Sequence, residues 1–406
     1  MKAHPPPEAL QATSLAFHER HPLLAALTLS LAAAAALGIT RFSYGLLLPA
    51  MRADLGWSYM LAGSLNTSNA VGYLIGALLA PLAMHRVGVA RLLTLSTLMA
   101  GLFMLLSGTV LAANTLLALR VCSGTVSSFM FIAGGMLASR LSSLHARQAG
   151  LVLGIYYAGT GLGIAMSAVL IPLLLSSAEQ HGQAHAWQWT WYGLGALCFV
   201  ATVAVSPLGT AIGRGDVAQA RRQHYALRRF SWALLSYFLF GVGCIGYMTF
   251  IAALLKEQQM PGWMISLFYT VLGLAVMASS RLWAGLLERY KGGQAMALLN
   301  AILAVATLLP VLHASVPLAF VSSLAFGAVF MSVVASTTAL VRHNLEAQYW
   351  ATAISAFTVA FALGQISGPL LVGWLADGAG GLARGLAVSA AVLLLGALLA
   401  FRQKPL

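Results

Sequence analysis

Acidic residues are scarce in this 406-residue chain: nine Asp and Glu stand against 22 Lys and Arg, and charged residues of every kind make up only 8%. Soluble globular chains carry about 25% charged residues, so a water-soluble protein is excluded. The acids are Glu8, Glu19, Asp54, Glu179, Asp216, Glu257, Glu288, Glu346 and Asp377. None lies inside a long apolar run. That absence disfavours an exporter of cationic solutes and a buried carboxylate proton relay, since both need a membrane-embedded acid. Cysteine is limited to Cys122, Cys198 and Cys244, all in apolar runs and without CxxC or Cys/His spacing. Their default reading is small buried hydrophobes, with no disulfide framework and no metal site. HExxH, GxSxG and clustered carboxylates are also missing, so no catalytic residue, cofactor or metal is expected.

What the chain does have is apolar length: 60% of it is hydrophobic. A membrane-spanning helix needs about 20 apolar residues. Twelve runs qualify, near 23–49, 60–84, 92–112, 115–139, 150–176, 187–208, 230–255, 263–287, 295–313, 317–340, 351–375 and 382–401. The run from Leu23 is too long for the apolar part of a signal peptide and is expected to persist as a span. The predicted organisation is an all-α membrane protein. A polar tail (1–22) precedes a six-helix bundle (23–208), a basic linker (209–229), a second six-helix bundle (230–401) and a short tail (402–406).

The net charge of +13 is scattered through short connections, which argues for membrane orientation and against nucleic-acid binding. With both termini cytoplasmic, the outer segments hold only Arg52, Lys256 and Arg384, while Arg41, Arg120 and Arg281 fall inside spans. The remaining Lys and Arg lie on the inner side, as the positive-inside rule requires. A multi-pass cell-membrane protein, of the bacterial inner membrane, with both termini in the cytoplasm is expected. Arg221-Arg222 and Arg228-Arg229 in the linker are read as topology signals that contact anionic lipid.

Arg41, in Gly38-Ile-Thr-Arg41-Phe-Ser-Tyr44-Gly45, is the most informative residue. A cation near mid-membrane costs roughly 2.5–3.5 kcal/mol on insertion scales, so it normally faces a cavity and marks a site. The alternative is a side chain that snorkels outward. Pro49, near the expected helix end, is about 12 Å away at 1.5 Å per residue, a long reach for Arg.

The two halves repeat. Gly38-x-x-Arg41-x-x-Tyr44 recurs as Gly241-x-x-Cys244-x-x-Tyr247, and Arg120-x-x-x-Gly124 as Ser323-x-x-x-Gly327, both 203 positions later. His85-Arg86 matches Glu288-Arg289, and Leu162-Gly163 matches Leu363-Gly364. Duplicated membrane units are the mark of secondary transporters, with the solute site between the halves near the midplane.

This layout resembles the major facilitator superfamily over nearly the whole chain. Arg120-Val-Cys-Ser-Gly124 is similar to the Arg-x-x-x-Gly of that superfamily's fourth helix. The loop motif after its second helix, Gly-x-x-x-Asp-Arg-x-Gly, reads here Pro81-Leu-Ala-Met-His85-Arg86-Val-Gly88, with His in the Asp position. The resemblance therefore does not supply the usual Asp-centred cytoplasmic latch. Gly364-Gln365-Ile-Ser-Gly368-Pro369 is similar to the Gly-x-x-x-Gly-Pro motif of antiporters, but lies in helix eleven rather than five. Arg41-Phe-Ser-Tyr44-Gly45, Asn69-Ala-Val-Gly72-Tyr73 and Gly241-Val-Gly-Cys-Ile-Gly-Tyr247 resemble the YbfB/YjiJ branch. The resemblance implies twelve helices, alternating access and a solute site between halves.

The candidate solute-binding residues are Arg41, Tyr44, Asn66, Asn69, Tyr73, Arg120, Tyr247, Arg281 and Gln365. Arg41 and Tyr44 share a helical face, and Asn66, Asn69 and Tyr73 form a polar stripe that serves ligand contact or helix packing equally well. Arg120 lies within snorkelling reach of its helix end. Arg281 either contributes to the site, like the Arg in the eighth helix of monocarboxylate transporters, or pairs with Glu288. Gating or helix packing is expected for Arg86, Gly88, Gly124, Gly161, Gly163, Gly364, Gly368 and Pro369. Embedded cations without embedded acids point to a small organic anion, a carboxylate, carried by a monomer in the bilayer. The other reading is a proton-driven exporter of a neutral or amphipathic compound with structural arginines.

Overall fold

The computed structural model describes residues 17–212 and 227–406. Most of the expected amino-terminal tail and most of the basic linker, with Arg221 and Arg222, lie outside the described residues. Among the described residues, twelve helices are long and apolar enough to cross a membrane. We number them α1 (Pro22–Leu55), α2 (Tyr59–Val87), α3 (Val89–Thr109), α4 (Ala113–Leu144), α5 (Ala149–Gln180) and α6 (Trp187–Ile212) in the first half. The second half contains α7 (Ser231–Glu257), α8 (Gly262–Leu282), α9 (Gln294–Leu312), α10 (Val316–Asn344), α11 (Ala347–Ala376) and α12 (Gly381–Phe401). Twelve crossings put Phe17 and Leu406 on one face, called here the terminal face.

Two boundaries differ from the periodicity reading. Pro49 does not end α1; the helix continues to Leu55 and stops at Gly56, whose φ of +64° forms a left-handed cap. Proline is tolerated inside membrane helices because carbonyls it frees find other partners. The eighth span is broken at Trp283, after which a short helix covers Ala284–Arg289. The Trp283 indole donates to the Ala328 carbonyl of α10 at 2.9 Å, which fixes the break.

Within each half the packing follows the repeat. In the first, α1 packs on α5, α2 on α4 and α3 on α6; in the second, α7 packs on α11, α8 on α10 and α9 on α12. Close approaches recur at matched positions. A Cβ on Gly124 would collide with the Asn69 carbonyl, and one on Gly327 with the Leu272 carbonyl, each residue 203 positions from its counterpart. Glycine is required there because backbone meets backbone, the usual way membrane helices gain contact without a hydrophobic drive. The halves meet through α2 against α11, α5 against α8, and the Tyr44–Leu55 segment of α1 against α7. Among the spans, α1 and α7 are the most deeply enclosed.

Helix α1 is not uniform. Ala34–Phe42 form a π-helix between two α-helical segments, ending with Ser43 N–H on the Gly38 carbonyl at 3.0 Å. The local sequence explains the wider turn. Five consecutive alanines (Ala32–Ala36) offer little side-chain packing, while hydroxyls compete for backbone acceptors. Thr40 Oγ1 and Ser127 Oγ both donate to the Ala36 carbonyl, and Ser43 Oγ donates to that of Ile39. Gly38 packs directly on Gly163 of α5, so the distorted segment is clamped where it widens. Such π segments concentrate at functional sites.

Candidate functional site: the cavity between the halves

Arg41 lies at the end of the π segment and is 1% exposed. Its Nη2 donates to Gln365 Oε1 on α11 at 2.6 Å, a bond between the two halves. Its Nε has no hydrogen-bond partner. The guanidinium carbon lies 5.4 Å from the Tyr73 ring centroid and 5.9 Å from that of Phe42. Arg41, Tyr73 and Gln365 line a chamber of about 150 Å³ between the halves. Its remaining wall is mainly aromatic, supplied by Phe42, Phe131, Tyr237, Phe330 and Phe361. The chamber shares Phe131, Met331 and Val334 with a wider cavity of about 500 Å³ that runs between α4, α5, α8 and α10 to Arg342 near the terminal face. Among the described residues, no Asp or Glu lines either space.

From Arg41 toward the opposite face, hydrogen bonds join the halves. Asn66 Nδ2 donates to Thr249 Oγ1 at 2.6 Å, and Thr67 Oγ1 to the Ile366 carbonyl at 2.9 Å. At the surface, Asp377 accepts the backbone N–H of Tyr59 at 2.6 Å and of Met60 at 2.9 Å. These are the first two amides of α2, unpaired within their own helix, and their dipole favours an anion. The Tyr59 hydroxyl donates to the Glu257 carboxylate, and the Arg52 guanidinium carbon lies 3.6 Å from the Tyr59 ring centroid. Gly63 fits against the Pro369 carbonyl and Gly373 against that of Tyr59. The chamber is thus closed on this side and continuous with a cavity on the other.

The other expected residues stand elsewhere. Arg120 is fully buried, but its Nη1 donates to the Thr40 carbonyl at 2.7 Å, and its guanidinium carbon lies 5.4 Å from the Tyr44 ring and 5.6 Å from the Trp191 ring. It props the π segment and does not line the chamber. Tyr44 donates to the Ala62 carbonyl at 2.7 Å, tying α1 to α2. Tyr247, at the matching position, bonds Ser322 Oγ of α10 at 2.7 Å. Asn69 Nδ2 reaches the Arg120 carbonyl at 3.4 Å. Arg281 is exposed near the end of α8, and no ion pair joins it to Glu288.

Among the packing candidates, Gly161 meets the Gly273 carbonyl of α8 across the halves, Gly163 the Ala34 carbonyl, Gly364 that of Phe238 and Gly368 that of Val242. Gly88 caps α2 at φ +86°, and Arg86 beside it is exposed. Sequence reasoning missed Asp377, Glu257, Tyr59 and Thr249 at the closed side, and the aromatic wall. A trace of that wall was present as Phe326/Phe330 and Phe357/Phe361 at i, i+4 spacing. Asp377 gave no local signal, because its partners lie more than 300 residues earlier.

Two matched six-helix halves around a cavity closed at one face are the architecture of a secondary transporter. Residues 33–401 match the family described as Uncharacterised MFS-type transporter YbfB, and the chain belongs to that family. No individual curated protein matches it. Solved structures share the fold. A bacterial homolog of the human lysosomal transporter Spinster, in an inward-facing and unoccupied conformation, aligns with a TM-score of 0.72 at 16% identity, covering 95% of this chain and 97% of that one. The nucleoside transporter NupG aligns with a TM-score of 0.66 at 14% identity, covering 93% and 97%.

Proposed function

We propose that the protein carries a small organic anion, a carboxylate, across the membrane as a monomer, with Arg41 as the charge-recognising group. The observation that carries this reading is a fully buried guanidinium that faces a chamber with no acid in its wall and whose contact there is a neutral amide. A guanidinium stays protonated and grips a carboxylate through two parallel hydrogen bonds. In this reading Gln365 Oε1 occupies the position an anion's oxygen takes when bound, and Tyr73 and Gln365 orient it. Arg120, Tyr44, Asn69 and Tyr247 act by holding the helices that present Arg41.

The positive-inside distribution supports cytoplasmic termini in an inner membrane, so the cavity reaching Arg342 opens inward and the Asp377 contacts close the outside. The test is transport in proteoliposomes. Saturable counterflow of small carboxylates by the wild type, and loss of at least about tenfold in Arg41→Ala with normal insertion, support the reading. Undiminished transport by Arg41→Ala sinks it.

A second reading, proton-driven export of a neutral or amphipathic compound, draws on the apolar walls of the wider cavity. Net anion entry speeds up under an inside-positive potential, and proton-coupled export of a neutral compound does not.

A further inference from the structure

We infer that the anion is a monocyclic aromatic carboxylate, its carboxylate on Arg41 and its ring in the aromatic wall. This inference rests on the anion reading above and narrows it to a ligand body.

The chamber is divided by chemistry. The polar lining is Arg41 and Tyr73 of the first half with Gln365, Tyr237 and Thr358 of the second, and the Thr358 hydroxyl is already spent on the Ile354 carbonyl at 2.9 Å. Arg41 Nε is fully buried without a partner, and neither the Tyr73 hydroxyl nor the Gln365 amide nitrogen has a hydrogen bond of its own. Three side chains with donors to spare therefore line one chamber with no acid in its wall, which suits a ligand end that only accepts. A carboxylate is that end, and an amide or ammonium is not.

The opposite wall is assembled largely from the second half. Tyr237 stacks on Phe361 with centroids 5.1 Å apart, and Phe361 on Phe240 at 5.2 Å. Phe330 meets Phe42 edge-on at 5.6 Å. Tyr237, Phe361, Phe330 and Phe42 all line the chamber, and an aromatic partner gains from such a ring cluster beyond simple apolar burial. Size sets the limit. A chamber of about 150 Å³ matches the apolar cavity that takes up one benzene ring. A fused bicycle or a long acyl chain has to project into the wider cavity. Arg342 at that cavity's mouth adds a second cation along the route, where it raises the local concentration of anions.

The test uses the purified full-length protein and thermal-shift titration with benzoate, cyclohexanecarboxylate, acetate, benzamide and uridine. Benzoate is expected to bind about fivefold tighter than cyclohexanecarboxylate and more than tenfold tighter than acetate, with no shift from benzamide. In Phe361→Leu the benzoate preference falls toward unity while cyclohexanecarboxylate still binds, which separates lost stacking from misfolding. Equal affinity for benzoate and cyclohexanecarboxylate in the wild type overturns the aromatic assignment and leaves the anion site standing. Benzamide or uridine binding as well as benzoate, or benzoate binding unchanged in Arg41→Ala, overturns the anion reading itself. No shift with any of the five overturns the inference.

Discussion

Arg41 and Arg120 are both fully buried, yet Arg41 lines the chamber while Arg120 bonds the backbone of α1, and that difference predicts different mutational behaviour. Arg120 completes α1 by bonding a backbone carbonyl between two aromatic rings. Neither has a counter-ion among the described residues, and a buried charge without one costs several kcal/mol; Arg41 Nε and Arg120 Nε and Nη2 all lack hydrogen-bond partners. Only Arg120→Met also loses a bond to the α1 backbone, so Arg41→Met is expected to abolish transport without lowering the melting temperature of the ligand-free protein, and Arg120→Met to melt lower than Arg41→Met. A melting temperature that falls equally in both variants would contradict the division of roles. Gln365→Glu places an acid 2.6 Å from Arg41 and supplies internally the charge that a ligand otherwise brings. That variant should be thermally more stable and should lose carboxylate binding, measured by the same titration. Both residues were visible in the sequence as polar groups inside apolar runs. Their bond was not, because it joins positions 324 residues apart.

At the scale of the element, α1 and α2 each depend on a partner outside themselves. The π segment of α1 spans a region of small and hydroxyl residues, held by Ser127 and Arg120 from α4 and backed by Gly163 of α5. Helix α2 leaves its first amides to Asp377 of the other half, so the closure at the face opposite the termini is built from a helix end and an exposed carboxylate. A charge at an exposed helix N-terminus is worth up to about 1 kcal/mol, or roughly a fivefold change in a two-state population. Asp377→Asn is expected to shift the protein by about that factor toward the outward-open state. Labelling of Thr67→Cys by an impermeant thiol reagent from the outside, with Cys122 replaced by Ser, measures it. Unchanged labelling would show that Asp377 contributes nothing to closure. The loop motif at His85-Arg86, with His in the Asp position, does not supply the usual Asp-centred latch at the terminal face. The compensating acid at the opposite face had no motif, because capping across halves depends on how two helix ends meet.

For the whole molecule, the duplication is the organising fact, and its functional asymmetry is equally plain. Matched glycines keep matched packing in both halves, while Arg41 has Cys244 as its counterpart and Arg120 has Ser323. Among the described residues the first half therefore carries both buried arginines, and the second supplies Gln365 and most of the aromatic wall. The topology reading predicts that a periplasmic reporter fused after His313, between α9 and α10, is active, and that one fused at Leu406 is not. The reverse pattern would invert the direction in which the cavity opens.

The sequence by itself determined the twelve spans, the two-fold repeat, the membrane class and the presence of an unneutralised cation in the first span. Those follow from run length, spacing and charge counts, which are local or periodic quantities. Only the tertiary structure decided which polar residues share a cavity. It joined Arg41 to Gln365 and Tyr73, turned Tyr44, Tyr247 and Arg120 into helix supports, left Arg281 at the surface and set Asp377 on α2. The physical reason is that a membrane helix shows in its sequence which residues are polar. The rotation and contact partners of those residues are set by close backbone packing against helices far along the chain.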